Sequence, residues 1–201
     1  MKVKPWEKVG PVEVLAESHK RRLITQKFRD PHNNQIREHS IFKPLQRFSC
    51  IVLGITSDEK VLAVRQFRKP VETVTLELPG GCPKFEGQSL ELVAKEEFAE
   101  ETGGYEPGKI ISLGKKTHRW FEPSGMDALY YSFLFLGCQK SNPQVQQDEG
   151  EYCELVAIPL PEWIKMCLSG EIVDSKSIVT TTLALPHLAK NINIERRIVW
   201  T

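Results

Sequence analysis

The segment ELPGGCPKFEGQSLELVAKEEFAEETGG, residues 77–104, decides how this sequence is interpreted. Residues 88–102 contain no proline and no interior glycine, and Gly103 and Gly104 follow as a stop signal. The segment therefore predicts an α-helix of about four turns. At about 100° per residue, four apolar side chains share one face of this helix. They are Leu90, Val93, Ala94 and Phe98.

Three glutamates, Glu97, Glu100 and Glu101, fall on or beside that apolar face. Two carboxylates about 4 Å apart repel by about 4 kcal/mol at an effective dielectric constant of about 20, and burial raises this cost. The ordinary alternative is a solvated helix face with ion pairs, but this alternative fits acids beside an apolar stripe poorly. The spacing, with Gly80 and Gly81 upstream, instead predicts a site for a hard divalent cation, which prefers clustered oxygen ligands.

Composition indicates a soluble chain and excludes few functions. The 201 residues are 40% hydrophobic and 26% charged, enough for one domain with a sizeable core. The net charge of +1 and the lack of a basic stripe argue against a nucleic-acid partner. No apolar signal region opens the sequence, and the longest apolar runs are too short to cross a bilayer. We therefore expect no membrane partner.

The cysteines are odd in number, scattered, and without Cys-X-X-Cys spacing. They are Cys50, Cys82, Cys138, Cys153 and Cys167. This pattern predicts reduced thiols and a cytoplasmic location. Cys82 lies beside the predicted cation site, but no histidine is near it in the sequence, so we do not expect a thiolate nucleophile.

Strand patterns outnumber helix patterns in the rest of the chain. Three of them, GPVEVLAES, RLITQKFRD and QIREHSIFK, predict a sheet within residues 1–47, with DPHNNQ as a turn. Further strands and two C-terminal helices, near 161–168 and 176–190, predict an α/β sandwich within residues 48–201.

The acidic helix resembles a Nudix box, the motif of hydrolases that split nucleoside diphosphates linked to another moiety. Five positions match the box: Glu97, Phe98, Glu100, Glu101 and Gly103. Three positions depart from it. Glu96 stands where the box has arginine, Gln88 where it has its first glutamate, and Gly104 where it has an apolar residue. The spacing from Gly81 is also one residue longer than in the box.

Three further segments resemble ADP-sugar pyrophosphatases: VLAVRQFRKPVETVTLELPGG, WFEPSGMDALYYSFLFL and SGEIVDSKSIVTTTLAL. The resemblance covers most of residues 1–190. It implies a Nudix-type α/β/α sandwich with a mixed sheet, plus an N-terminal antiparallel sheet region. It also implies metal-dependent hydrolysis of ADP-ribose or a related nucleotide sugar to a nucleoside monophosphate and a sugar phosphate. Two alternatives remain: a catalytically weakened nucleotide-sugar sensor, and an interaction domain that keeps the fold alone.

The resemblance implies a role for individual residues in cation and substrate binding. Mg²⁺ or Mn²⁺ would be held by the Gly80 carbonyl together with Glu97, Glu100 and Glu101. The implied substrate-binding residues are Arg68, Glu77, Trp6 and Pro123. Arg68 would bind a phosphate, and Glu77 would orient the site or accept a hydrogen bond from the ligand. The alternatives are a surface arginine for Arg68 and a strand-end carboxylate facing water for Glu77. Trp6, Trp120 and Phe121 could stack a purine, or belong to a core or an interface.

The resemblance also implies a catalytic base and an assembly. The segment DEGEYCELVAIPL corresponds to a loop that often carries the base, with Glu149 as the first candidate and Glu151 as the second. The alternative is that both are solvated loop acids. Residues 1–47 would pair across a two-fold axis in a homodimer, and this segment would help to form the partner's substrate pocket.

Overall fold

The computed structural model describes residues 2–18, 20–114, 118–141 and 152–191. Its strands are β1 (Glu7–Glu17), β2 (Arg21–Arg29), β3 (Ile36–Pro44), β4 (Phe48–Thr56), β5 (Lys60–Arg68), β6 (Thr73–Glu77), β7 (Gly80–Gly81), β8 (Tyr105–Glu106), β9 (Lys109–Ser112), β10 (Arg119–Trp120), β11 (Leu129–Lys140) and β12 (Cys153–Pro159). Its α-helices are α1 (Leu90–Thr102), α2 (Leu160–Ser169) and α3 (Ser175–Asn191). A short 3₁₀ helix spans Lys69–Val71. Within these ranges, no helix has the length and apolar character needed to cross a membrane.

The chain divides into two compact units, of which the first comprises residues up to 48 together with 119–129. Strands β1, β2 and β3 form an antiparallel sheet in that order. The predicted turn between β2 and β3 closes through the Asp30 N–H, which donates to the Gln35 carbonyl at 2.8 Å. The predicted N-terminal antiparallel sheet is therefore confirmed. The division into an N-terminal dimerisation region, residues 1–47, and a hydrolase domain, residues 48–201, stays a prediction.

The second unit contains residues 49–118 and from 130 onward, and it is a mixed sheet covered by helices. The sheet runs β11-β4-β5-β12, with β6 paired to β5, β7 to β4, and β8 and β9 to β11. Strand β4 and residues 61–64 of β5 are buried on both faces, as a sheet covered by helices requires. The core includes Leu53, Leu134, Trp163 and Leu188, so side chains from the sheet, α2 and α3 meet in one cluster.

Helix α1 carries the acidic segment and begins two residues later than predicted. Ser89 caps it, since its side chain accepts a hydrogen bond from the Leu92 N–H at 3.2 Å. At the other end Gly103 adopts φ +70°, a left-handed conformation that suits glycine. Phe98 packs so closely against β4 that a Cβ at Gly54 would overlap its ring. Buried contacts therefore fix which side of α1 faces the sheet.

Candidate functional site

The acidic end of α1 is anchored to strand β7. Glu101 is 7% exposed, although it is a glutamate in the last turn of a helix. Its Oε2 accepts a hydrogen bond from the Gly80 N–H at 2.8 Å. Its Oε1 accepts a weaker one from Cys153 Sγ on β12 at 3.5 Å. A buried carboxylate needs such partners, and here they fix its position in the second unit.

Glu97 lies one turn earlier on α1 and packs against the neighbouring glycine of β7. A Cβ at Gly81 would overlap the Glu97 carboxylate. A Cβ at Gly80 would instead overlap the Cys50 main-chain carbonyl on β4. The two glycines therefore have different roles: Gly81 leaves room for a carboxylate, and Gly80 lets two strands approach. The sequence indicated that these glycines let the main chain come close to its neighbours. The structure shows that the neighbours are the Cys50 carbonyl at Gly80 and the Glu97 carboxylate at Gly81.

Glu100 is paired with a lysine from the loop that precedes the helix. Lys84 Nζ lies 2.5 Å from Glu100 Oε1. The Lys84 side chain is 40% exposed and that of Glu100 is 20% exposed. Lys84 precedes the helix by several residues, and nothing in helical periodicity predicts which way a loop side chain turns.

The donor set suits a hard divalent cation. Among the described residues, no three His, Cys, Asp or Glu side chains already converge as a metal cluster. The predicted ligands nevertheless sit on adjoining elements, Gly80 on β7 and Glu97, Glu100 and Glu101 on α1. Carboxylate and carbonyl oxygens are what Mg²⁺ and Mn²⁺ prefer, and the cradle at Gly81 is kept open for one carboxylate. The residues therefore fit such a cation, and their role as ligands stays a prediction.

Arg68 and Glu77 form a bidentate ion pair between β5 and β6. Arg68 Nε donates to Glu77 Oε1 at 2.8 Å, and Arg68 Nη2 donates to Oε2 at 2.5 Å. Thr75 Oγ1 also donates to Oε1 at 2.5 Å, and Lys176 Nζ lies 3.8 Å from Oε2. Glu77 is 3% exposed, so the alternative of a strand-end carboxylate facing water is wrong.

These contacts decide the charge of Glu77. Burial acts to raise its pKa, but the hydrogen bonds from Arg68 and Thr75 and the charges of Arg68 and Lys176 outweigh burial and lower the pKa below its ordinary value. The carboxylate is therefore ionised near neutral pH. It holds the Arg68 guanidinium in a fixed orientation, which supports the predicted orienting role.

The start of α3 completes this network. Asp174 Oδ2 accepts hydrogen bonds from the Ser177 N–H at 2.9 Å and from Ser177 Oγ at 2.7 Å, as an N-terminal cap does. Ser177 Oγ in turn accepts a hydrogen bond from the Leu78 N–H at 2.8 Å. Asp174 also pairs with Lys176. Sequence reasoning missed this role, although Asp followed by Ser at the head of a helical segment was an available capping signal.

Two of the three positions that depart from the Nudix box, Gln88 and Glu96, are hydrogen-bonded to each other. Gln88 Nε2 donates to Glu96 Oε2 at 2.6 Å, and Gln88 Oε1 accepts from the Lys84 N–H at 2.8 Å. Gln88 is 6% exposed. The expected arginine to glutamate ion pair is thus replaced by an amide to carboxylate hydrogen bond that still ties α1 to the preceding loop.

Trp6 and Pro123 line a cavity of about 650 Å³ within the first unit. Its other lining residues include Arg37, His39, Trp120 and Asp127. The Arg37 guanidinium lies 6.0 Å from the centre of the Trp6 ring, and the His39 ring meets that ring edge-on at 6.2 Å. Trp6, Trp120 and Phe121 are exposed, so none of them is a core residue. Phe121 does not line the cavity.

The remaining candidates divide into thiols and loop acids. None of the five cysteines forms a disulfide. Burial raises the pKa of Cys50 to about 12, with smaller contributions from Cys82 and Glu97, which makes its thiol a poor nucleophile. The predicted bases Glu149 and Glu151 lie outside the described residues.

The fold and the acid-bearing helix together define the class of protein. A model of the NUDIX domain matches residues 45–171, more than half of the chain, and the protein therefore belongs to the Nudix family. This match and the mixed sheet confirm the fold class implied by the resemblance. A solved structure described as an ADP compounds hydrolase has a TM-score of 0.80, at 17% identity over 96% of this chain and 98% of that one. At that identity the likeness shows a shared fold.

Two sequence relatives carry names that bear on function. ADP-ribose pyrophosphatase of Bacillus subtilis (strain 168) is 34% identical over 127 residues, which cover 63% of this chain and 65% of that protein. Methanol dehydrogenase activator of Bacillus methanolicus is 30% identical over 132 residues, which cover 64% of this chain and 66% of that protein. The matches span slightly less than two thirds of the length of either relative.

Proposed function

We propose that this protein hydrolyses the diphosphate of ADP-ribose or a related nucleotide sugar, giving a nucleoside monophosphate and a sugar phosphate. The observation that carries the proposal is the anchoring of Glu97 and Glu101 against the Gly80–Gly81 strand of a Nudix fold. The similarity to ADP-ribose pyrophosphatase supports this substrate class.

The cation site of the proposal consists of Gly80, Glu97, Glu100 and Glu101, with Mg²⁺ or Mn²⁺ as the ion. When bound, such an ion supplies positive charge that offsets the charge of the diphosphate and acidifies water. The protein's own contribution is to hold carboxylates close together before the ion arrives. The Gly80 N–H holds the Glu101 carboxylate through a hydrogen bond, and the missing side chain at Gly81 leaves room for the Glu97 carboxylate beside it.

Arg68 is the proposed phosphate contact. Its Nε and Nη2 groups are committed to Glu77, which fixes the plane of the guanidinium. The Arg68 side chain is nevertheless 39% exposed, so it is not sealed inside the protein. A guanidinium held in this way can meet phosphate oxygens without losing rotamer entropy at the moment of binding.

The cavity of the first unit is the proposed site for the base of the nucleotide. Trp6 and Trp120 offer ring faces and Pro123 an apolar surface, while Asp127 and His39 offer polar contacts at its wall. Base stacking on an aromatic ring is worth about 1–3 kcal/mol per base. Trp6→Ala should therefore raise KM by about 5- to 150-fold and leave kcat nearly unchanged.

Glu149 is the proposed general base, with Glu151 as the second candidate. Carboxylates committed to a cation are poor bases, so the base has to come from another segment. Glu149→Gln should lower kcat by about 10²–10⁴-fold while substrate and metal binding stay near normal. Loss of activity in Glu151→Gln alone would assign the base to Glu151, and full activity in both variants would contradict a base in this segment.

A homodimer in the cytoplasm completes the proposal. Strand β1 is exposed along nearly its whole length, and its apolar side chains Val12, Val14 and Leu15 are each about half exposed. Burying such a face in a two-fold pair would remove it from water. Light scattering at micromolar concentration should give twice the 22.9 kDa chain mass, and a fully active monomer would contradict the assembly. The odd number and scattered positions of the cysteines support a reducing compartment.

The deciding experiment is a panel of nucleotide sugars and other nucleoside diphosphate derivatives, assayed with Mg²⁺ and with Mn²⁺. Both expected products are phosphate monoesters, so added phosphatase should release inorganic phosphate from the products but not from the intact diphosphate. Thermal stabilisation by ADP-ribose without turnover would favour the sensor. Neither stabilisation nor turnover would favour the interaction domain.

A further inference from the structure

The loop before α1 brings a lysine onto the acidic side of that helix. The loop contains Lys84, and its ammonium contacts Glu100 at 2.5 Å although the two residues are 16 positions apart. Glu100 lies on the same helix as the buried Glu101 and the half-buried Glu97. One positive charge therefore sits among several carboxylates that repel one another.

Gln88 holds that lysine by its main chain. The Gln88 side chain accepts from the Lys84 N–H and donates to Glu96, so it bridges the loop and α1 with both ends of its amide group. Gln88 is 6% exposed, and its own N–H approaches the Phe85 carbonyl at 3.4 Å. The main chain at Lys84 is thus fixed relative to α1, and the Lys84 side chain has a short path to Glu100.

A contact between Lys84 and Glu100 competes with any cation that uses Glu100. The ammonium is a single charge with three donors, whereas a divalent cation carries two charges and takes oxygen atoms as direct ligands. The lone pair of Glu100 Oε1 that accepts the ammonium is closed to a metal ion, and two cations held at one carboxylate repel each other. If the divalent ion displaces the ammonium, linkage requires that the free energy this contact gives to the metal-free protein is subtracted from metal binding.

We propose that Lys84 is a built-in counter-cation of Glu100 that a divalent ion has to displace, and that Gln88 is the positioning residue that holds Lys84 there. This inference rests on the proposed function, because the divalent ion is the one assigned to Glu97, Glu100 and Glu101. It assigns to this chain a lysine that stabilises the metal-free protein at the expense of metal affinity.

The test measures Mn²⁺ alone, without substrate, on the full chain. Free Mn²⁺ is followed by electron paramagnetic resonance during titration, and the melting temperature of the metal-free protein is measured in parallel. Lys84→Met keeps the length of the side chain and removes its charge. It should tighten Mn²⁺ binding by about 2- to 5-fold, the range of a partly exposed ion pair, and lower the metal-free melting temperature. Lys84→Arg should restore both values.

The matched control is Lys95→Met. Lys95 also pairs with a glutamate of α1, Glu91 at 3.0 Å, but that pair lies on the exposed side of the helix. Lys95→Met should leave Mn²⁺ affinity unchanged. An equal gain in both variants would reveal a general charge effect and overturn the inference.

Gln88→Leu separates the positioning role from simple packing. It removes both hydrogen bonds with little change in volume, so it should move Mn²⁺ affinity in the same direction as Lys84→Met. Equal or weaker binding in Lys84→Met, with wild-type protein binding normally, would overturn the inference and leave the proposed function standing. Absence of Mn²⁺ binding by the wild-type protein would overturn the cation site, and the inference with it.

Discussion

The main-chain nitrogen of Gly80 lies 2.8 Å from Glu101 Oε2, although the two residues are 21 positions apart in the sequence. This hydrogen bond to a buried carboxylate joins strand β7 to helix α1. The bond places the acidic end of α1 against β7. This single contact explains how an apolar helix face can include a glutamate: the carboxylate is buried but is not without partners.

Glu101→Gln should abolish metal-dependent turnover and spare the fold. The amide oxygen of glutamine can still accept the Gly80 N–H, while the charge that a cation needs is removed. We expect kcat to fall by at least about 100-fold, because even outer-shell partners of a metal commonly cost 10- to 100-fold. The free energy of unfolding should hold or rise, since repulsion among the carboxylates falls. The control is Glu91→Gln, because Glu91 lies on the exposed side of the same helix. A wild-type rate and wild-type metal dependence in Glu101→Gln would refute the assignment of Glu101 as a metal ligand.

Gly81→Ala and Gly80→Ala should fail in different ways. The Cβ at position 81 meets the mobile end of Glu97, so the carboxylate shifts, the protein folds, and turnover drops by about 10- to 100-fold. The Cβ at position 80 meets the Cys50 carbonyl, which cannot move without β4, so the cost is about 1–3 kcal/mol of stability. Urea denaturation and steady-state kinetics separate the two effects. A stable and fully active Gly81→Ala would show that the position of Glu97 does not matter.

Much of the fold follows from local patterns. The apolar residues Val93, Ala94 and Phe98 are buried on the predicted face of α1, and Ser89 and Gly103 supply its caps. The N-terminal strands and their turn also follow, because alternation and the residues of the turn are local signals. The helix start was misjudged by two residues because Gln88 has a helix-compatible side chain, and the hydrogen bond of Ser89 decides the boundary instead.

The site is less predictable than the fold, because its contacts join residues far apart in the sequence. The acids of α1 were found since they share one helix. Cys153 and Ser177 were missed because each reaches the site from a different element, and no periodicity records where a neighbouring strand or helix will lie. Glu77 was assigned an orienting role from resemblance, but its burial and its four-membered network could be seen only in three dimensions.

Gln88 and Glu96 should show strong energetic coupling. Gln88→Glu alone would place a carboxylate opposite the Glu96 carboxylate, where a donor now lies 2.6 Å from the acceptor, and should destabilise the protein by about 1–3 kcal/mol. Adding Glu96→Arg restores a complementary pair and should recover most of that loss. By resemblance to the Nudix box, the double variant should also bind Mn²⁺ more tightly or turn over faster. A double-mutant cycle measured by urea denaturation gives the coupling, and additive effects would show that the two side chains do not depend on each other.

Glu77 should make the stability of the protein depend on pH in the acid range. Its pKa is lower in the folded protein than in the unfolded chain, so its contribution is fully present above the unfolded value of about 4.3 and is lost as the pH falls through the folded value. Glu77→Gln removes the charge that Arg68 and Lys176 face, and should cost about 1–3 kcal/mol at pH 7. The difference between wild type and variant should then shrink as the pH is lowered from 6 toward about 3, because the wild-type carboxylate becomes protonated while the amide does not titrate.

Urea denaturation across this range measures the difference in the free energy of unfolding. The control is Glu72→Gln, because Glu72 is an exposed glutamate in the turn before β6. A Glu77→Gln deficit that stays constant over the whole range would show that packing, and not the charge of Glu77, holds β5, β6 and the start of α3 together.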